Sequence, residues 1–237
     1  MFNNRIQIDI WSDIHCPFCY IGKRKLEQAL AAFPDKDMVD ITWHSFLLDP
    51  EVKTDPSLDA VAHFSKRKRI SEDQAREMYQ NVNRMAQENG LQFNLENSKV
   101  SNSFKAHRLI QWAQTKGLAN EMEEQLFAAH LSEGKNIDDN EVLTAIAMKV
   151  GLDAGETMDV LTSDAFAEEV EKDRMAAQQM SIHGVPFFVF NQKYAVSGAQ
   201  SQDVLLSALQ QCQKELNTIE IQDFSGEDQS CSIDGNC

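Results

Sequence analysis

No stretch of this chain approaches the roughly 18 consecutive apolar residues that a membrane-spanning helix needs. Its start, "MFNNRIQIDIW", has neither an apolar run nor a small-residue cleavage site, so residence in the cytoplasm is expected rather than secretion. Positive charge is scarce: 22 Lys and Arg stand against 37 Asp and Glu, a formal net charge of −15. Such a chain repels phosphate backbones and anionic lipids, which argues against nucleic-acid and membrane partners. The one basic run, Lys66-Arg67-Lys68-Arg69, adjoins "SEDQAREMYQ" and reads as a solvated helical segment. Cysteines number five, at 16, 19, 212, 231 and 237, too few for a disulfide scaffold in a chain of 237 residues. The glycines fall at irregular intervals, so no internal repeat is expected.

What is present is ordinary globular composition, with hydrophobic content of 42% that suffices for a buried core. Residues 5–11, "RIQIDIW", alternate like a strand, and residues 38–46, "MVDITWHSF", do so again. Between them "CPFCYIGKRKLEQALAAF" has helical spacing at Leu26, Leu30 and Phe33. From about Pro50 to Gly151 the periodic segments are helical, with Ser71 as one cap, Asn102 or Ser103 as another, and Gly90, Gly117, Gly134 and Gly151 as stops. A capped helix over 163–181 precedes "VPFFVF" and "YAVSG", two short strands joined by "NQK", and a last helix covers 201–216. Residues 1–49 and 152–220 thus make a mixed α/β unit, 50–151 an all-helical insertion, and 221–237 a mobile tail carrying Cys231 and Cys237. The first two strands should pair in parallel through a right-handed crossover, and the last two should form an antiparallel hairpin. Phe104, Leu109, Trp112, Met175 and Met180 read as packing residues, and Cys212 as a buried thiol behaving as a small hydrophobe.

Cys16 and Cys19 flank Pro17 and Phe18 where the first strand hands over to the helix. A thiolate there meets amides without an intrahelical partner and the positive end of the helix dipole. In CxxC pairs so placed a thiol pKa falls from about 8.5 into the range of roughly 3.5–7.5. Cys16, at or just before the first helical residue, feels this most, and Cys19, one turn in, is within reach for a reversible disulfide. Pro17 rigidifies the turn, Phe18 brings neither charge nor hydrogen bond, and a cationic His15 would further favour the anion. A structural zinc site needs four ligands, and Cys231 with Cys237 makes only a loose second knuckle. Redox use is the reading that the strand-to-helix context favours.

In "HGVPFFVF" a proline opens a strand to which it cannot donate. A cis Val185–Pro186 bond would present the Val185 backbone to an extended peptide beside Cys16, whereas a trans edge proline is the plain alternative.

Taken together, "CPFC" after a strand, a helical insertion, Val185-Pro186 before a hairpin and a closing helix resemble the DsbA-like branch of the thioredoxin superfamily. Within it, "CPFCYIGKRKLE" and "NSFKAHRLIQWA" are similar to FrnE-type proteins, relatives of 2-hydroxychromene-2-carboxylate isomerases and kappa-class glutathione transferases. The resemblance covers residues 5–216 and implies a thioredoxin fold. It implies Cys16 as attacking thiolate, Cys19 as resolving thiol and Pro186 as the cis-proline preceded by Val185. It also matches Asn102, Ser103, His107 and Arg108 to a motif facing the active-site cleft, where His107 and Arg108 would hold an anion such as a carboxylate or glutathione; on residue type alone these two read rather as solvent-facing or structural. The buried acid that many such enzymes carry six residues before the first cysteine is here Ile10, so Asp13 or His15 would have to substitute.

Three functions follow. The first is thiol–disulfide exchange on a protein or small molecule, without a cofactor, with thioredoxin or glutathione as electron partner. The second is a glutathione-dependent isomerase or transferase, with glutathione as co-substrate; such enzymes usually carry serine at the first cysteine position. The third is a non-enzymatic binding protein, which leaves the cysteine pair unexplained. Cys231 and Cys237 either relay electrons to the Cys16–Cys19 pair or are two uncoupled thiols, and a homodimer stays open.

Overall fold

The computed structural model describes residues 5–216. Strand β1 (Ile6–Ser12) is the second of four in a sheet ordered β2-β1-β3-β4, where β2 is Val39–Ser45, β3 Phe187–Phe190 and β4 Tyr194–Ser197. β1 runs parallel to β2, with Ile6 opposite Val39, and antiparallel to β3, with Ile10 opposite Phe188. β3 and β4 form the expected hairpin, Phe190 opposite Tyr194. Within the three-residue connection Asn191 and Gln192 have positive φ (48° and 54°) and Lys193 N–H donates to Phe190 O at 2.9 Å, a turn whose backbone twist matches that of the flanking strands.

Alternation along β1 assigns its two faces. Ile6, Ile8 and Ile10 join Phe188 and Phe190 beneath α1 (Pro17–Ala32), which contributes Leu26 and Ala29, and α9 (Gln202–Leu216), which contributes Leu205, Leu209 and Cys212. Trp11 and Val189 point the other way and pack with Ala177 and Ile182 at the end of α8 (Ala167–Gln179). Each of these isoleucines, about 1% exposed, contributes roughly 1.5–3 kcal/mol by leaving water.

Between β2 and α8 lie α2 (Ala60–Lys68), α3 (Glu72–Glu88), α4 (Phe104–Thr115), α5 (Ala119–Phe127), α6 (Asn140–Lys149) and α7 (Ala154–Thr162). Ser71 caps α3 through a full capping box with Gln74. Gly90, Gly117, Gly134 and Gly151 all have positive φ at helix ends, as their reading as stops requires. Residues 128–132 continue α5 as a π-helical turn.

Three details differ from the sequence reading. The helix expected from residue 163 begins at Ala167, because Phe166 is left-handed (φ 62°) and Ser163 Oγ ties back to Asp159 O as the end of α7. Helix α7 itself, nine residues with Gly155 in its first turn, is absent from the sequence reading. Met175 and Met180 are not in the core but 57% and 47% exposed, since α8 turns Val170 and Ala177 inward instead. Leu109, Trp112 and Cys212 are buried as expected. No described helix is long and apolar enough to cross a membrane.

Candidate active site

After β1 the chain turns back on itself, Cys16 N–H donating to Asp13 O at 2.9 Å, and α1 starts. Cys16 is the N-cap of α1 and Pro17 its first residue, where the missing N–H costs nothing. The Cys16 side chain caps no amide; its thiol donates to Val185 O at 3.5 Å. The Val185–Pro186 bond is cis. Two segments 169 residues apart in sequence therefore meet at one sulfur. Cys16 and Cys19 are both free thiols, 5% and 1% exposed, while Phe18 stands 39% exposed beside them. Burial, and then the adjacent Cys16 sulfur, push the Cys19 thiol well above its usual range.

What lets β3 approach so closely is a residue that carried no signal in the sequence. Gly22 sits inside α1, where glycine costs about 1 kcal/mol relative to alanine. A β-carbon there would lie 2.9 Å from Pro186 Cγ and 3.3 Å from Phe188 Cζ. The glycine is thus the contact surface between the cysteine helix and the proline.

Asp13 and His15 flank the pair from the other side. The Asp13 carboxylate is fully buried and accepts from His15 N–H (3.2 Å), Leu48 N–H (2.7 Å) and His107 Nε2 (3.4 Å). Burial opposes its charge, but His15, His107 and the Leu48 amide outweigh that and hold the carboxyl below its usual range. His15 moves down, chiefly through burial, so the cationic form that would favour an adjacent thiolate is itself disfavoured. Its ring lies 4.9 Å from that of His130, whose pKa is lowered to about 3, chiefly by burial.

The helical-domain motif is only partly assembled here. His107 is completely buried against Asp13, with Nδ1 lacking a hydrogen-bond partner. Asn102 braces a loop: its Oδ1 accepts from Phe104 N–H, and its Nδ2 donates to Val52 O at 2.9 Å and Pro50 O at 3.3 Å. Ser103 is buried as the N-cap of α4. Arg108 does not reach the cysteines. Its guanidinium donates to Ala165 O at 2.7 Å and to the carbonyls of Val160 and Ser163, closing the end of α7. The cause is that α4 is buried on all sides from Ala106 to Ala113, so each polar side chain must find a partner in the protein. Cys231 and Cys237 lie outside the described residues.

Two acids on α5 were not singled out in the sequence. Glu124 accepts from Lys23 Nζ (2.9 Å), Arg24 and Tyr20, tying α5 to the cysteine helix. Glu123, 1% exposed, has an Oε2 without a partner. Burial raises its carboxyl to about 8, with Lys23 opposing and Asp13 adding to the rise. Only the i, i+1 pair of acids amid "MEEQLF" marked the place, and that pattern is common on solvated helices. Among the described residues no group of three or more His, Cys, Asp or Glu is placed to hold a metal ion.

Residues 7–210 match the DSBA-like thioredoxin domain model. A solved structure from Streptomyces coelicolor, described as a probable DsbA oxidoreductase, is 33% identical and superposes with a TM-score of 0.85 over 98% of both chains. The uncharacterized protein YwbO of Bacillus subtilis (strain 168) is 29% identical over 213 residues, 88% of this chain and 98% of that one. The cytosolic disulfide reductase DsbM of Pseudomonas aeruginosa, 17% identical, has the same fold with a TM-score of 0.63 over 88% of this chain and 99% of its own. With a four-stranded mixed sheet, a cysteine pair opening the first helix and helices inserted after the second strand, the chain belongs to the DsbA-like thioredoxin family.

Proposed function

We propose that the protein is a thiol–disulfide oxidoreductase in which Cys16 is the nucleophile and Cys19 the resolving thiol. The observation that carries this is the meeting of the Cys16 sulfur, at the cap of α1, with the Val185 carbonyl at 3.5 Å, while Cys19 waits one turn behind it. In the reducing direction the Cys16 thiolate attacks one sulfur of a substrate disulfide. The substrate S–S bond breaks, a mixed disulfide forms, and the departing sulfur leaves as a thiolate that takes up a proton. Cys19 then gives up its proton and attacks Cys16 Sγ, which releases the second substrate thiol and leaves Cys16–Cys19 oxidised. Two electrons pass from the pair to the substrate, and the reverse sequence oxidises a dithiol. A high-lying Cys19 thiol suits this order, since the buried partner stays protonated until the mixed disulfide forms. Val185 and Pro186 form the floor on which an extended substrate lies, with Phe18 as its exposed apolar rim.

Thioredoxin or glutathione serves as the electron partner, and the cytoplasm, a further part of the proposal, is where either would keep the pair cycling. The test is insulin-disulfide reduction and reduced-ribonuclease oxidation with the full chain and with Cys16→Ser. Activity in either direction that the substitution abolishes supports the proposal. Activity that survives Cys16→Ser, or none in either direction from folded protein, overturns it.

A further inference from the structure

Resolution puts negative charge on a sulfur that water does not reach, since Cys19 is 1% exposed, and an unpaired charge in such a place is costly. The strand beneath the cysteine helix is β1, whose side chains alternate between two faces. Ile6, Ile8 and Ile10 lie on the face that α1 covers. Ser12, the last residue of the strand, shares that face by alternation, at the end where α1 begins. Its side chain is completely buried, and its hydroxyl has no hydrogen-bond partner among the described residues. Buried polar groups left in that state are few in folded proteins, and each calls for a reason. Cys19 supplies one. The Ser12 hydroxyl and the Asp13 backbone N–H both favour the Cys19 anion, against burial and the Cys16 sulfur. The neighbouring side chains do not take this part: Ile10 is apolar, and the Asp13 carboxylate is held by Leu48 N–H, His15 N–H and His107. A thiol is a weak acceptor, whereas hydrogen bonds to an ionised acceptor are strong. The hydroxyl is therefore idle beside the protonated sulfur and engaged once that sulfur is an anion. An interaction made only as charge develops lowers the barrier and not the ground state, and a donor already in place needs no reorganisation.

We infer that Ser12 is a further catalytic residue of the exchange, its hydroxyl donating a hydrogen bond to the Cys19 thiolate as that sulfur attacks the mixed disulfide. This rests on the exchange activity proposed above. In the step, Cys19 loses its proton and its sulfur bonds to Cys16 Sγ, while the bond from Cys16 Sγ to the substrate sulfur breaks. The substrate leaves as a thiolate and takes up one proton, so the protons balance. The two electrons pass from the cysteine pair to the substrate. Ser12 keeps its own proton throughout and lends only the hydrogen bond, with the Asp13 N–H as the second donor.

The test is a rapid-quench reaction of the reduced full chain with hydroxyethyl disulfide, a small uncharged probe. Mass spectrometry of the peptide carrying Cys16 follows the mixed disulfide as it forms and decays, in the wild type and in Ser12→Ala at neutral pH. Formation is the work of Cys16 and should proceed at the same rate in both. Decay is the work of Cys19 and should be about tenfold slower, or more, in Ser12→Ala, as the loss of one donor to a developing charge implies. Urea unfolding of the reduced proteins is the second readout. Because the hydroxyl is unpartnered at rest, its removal should leave the protein no less stable. Decay at the wild-type rate overturns the inference. So does slower decay accompanied by equally slow formation or by lost stability, since either marks a structural change. The same comparison in Cys19→Ser chains, where nothing resolves the adduct, separates the two levels of the account. If no adduct forms on Cys16 even there, the exchange reading fails and the role of Ser12 falls with it. If the adduct forms and Ser12→Ala resolves it normally, only the role of Ser12 fails.

Discussion

Replacing Glu123 with Gln should make the protein more stable at neutral pH and should do so less and less as the pH is lowered. The carboxyl is buried with Oε2 unpartnered, and its pKa stands at about 8 against an ordinary 4.5. Its folded value is raised and it is an acid, so the folded state binds more protons than the unfolded state between those two values. Stability therefore falls as pH rises from about 4.5 towards 8. At 1.36 kcal/mol per pH unit the window could cost nearly 5 kcal/mol, of which about 3 kcal/mol accrues between about pH 5 and about pH 7.5. That is a large share of a typical 5–15 kcal/mol. Gln has the same shape and no charge, so the cost of its buried amide is common to all pH values and drops out of the comparison. Urea unfolding of both proteins at the two pH values, with unchanged m-values, would show ΔΔG growing by about 3 kcal/mol towards the higher pH. Stability curves that stay parallel would refute the placement of a strained acid behind the cysteine helix.

Gly22→Ala should destabilise by up to about 2 kcal/mol, because overpacking of about 1–3 kcal/mol against the rigid Pro186 ring offsets or outweighs the gain of about 1 in helix propensity. It should also slow disulfide exchange, and a more stable, fully active variant would contradict the contact. His44 bridges Asp173 at 2.6 Å and Asp9 at 2.9 Å, which outweighs its burial and raises its pKa to about 9 from 6.5. Its stabilisation, up to about 3 kcal/mol, is present below about pH 6.5 and is lost as pH rises through about 9. His44→Gln should lose that dependence in unfolding experiments at pH values on either side, and a loss equal at both would contradict it. Arg108→Ala strips three carbonyls of a charged donor and should cost about 3 kcal/mol or more in thermal or urea unfolding. A change within about 0.5 kcal/mol would return Arg108 to the surface-residue class.

The parts of this molecule legible in its sequence are those written in short periods. Alternation in "RIQIDIW" and "MVDITWHSF" located β1 and β2, and the CxxC spacing located the start of α1. The proline in "HGVPFF" left cis and trans open by itself, and only its place behind an N-terminal CxxC in this element order pointed to the cis bond beside Cys16. What stayed hidden depends on contacts distant in sequence. Gly22 is an ordinary helix interior until Pro186 arrives 164 positions later. Arg108 sits one residue from His107, yet helical geometry turns the two some 100° apart, one towards Asp13 and the other towards the end of α7. Lys66, Arg67, Lys68 and Arg69 are exposed at the end of α2, as their reading as a solvated helical segment requires.

The most direct measurement is mass spectrometry of the Cys19→Ser protein after reaction with a disulfide substrate such as insulin. If Cys16 attacks and Cys19 resolves, the variant should accumulate a stable mixed disulfide through Cys16 that the full pair would have released. No adduct on folded protein, or an adduct carried by another cysteine, would contradict the account.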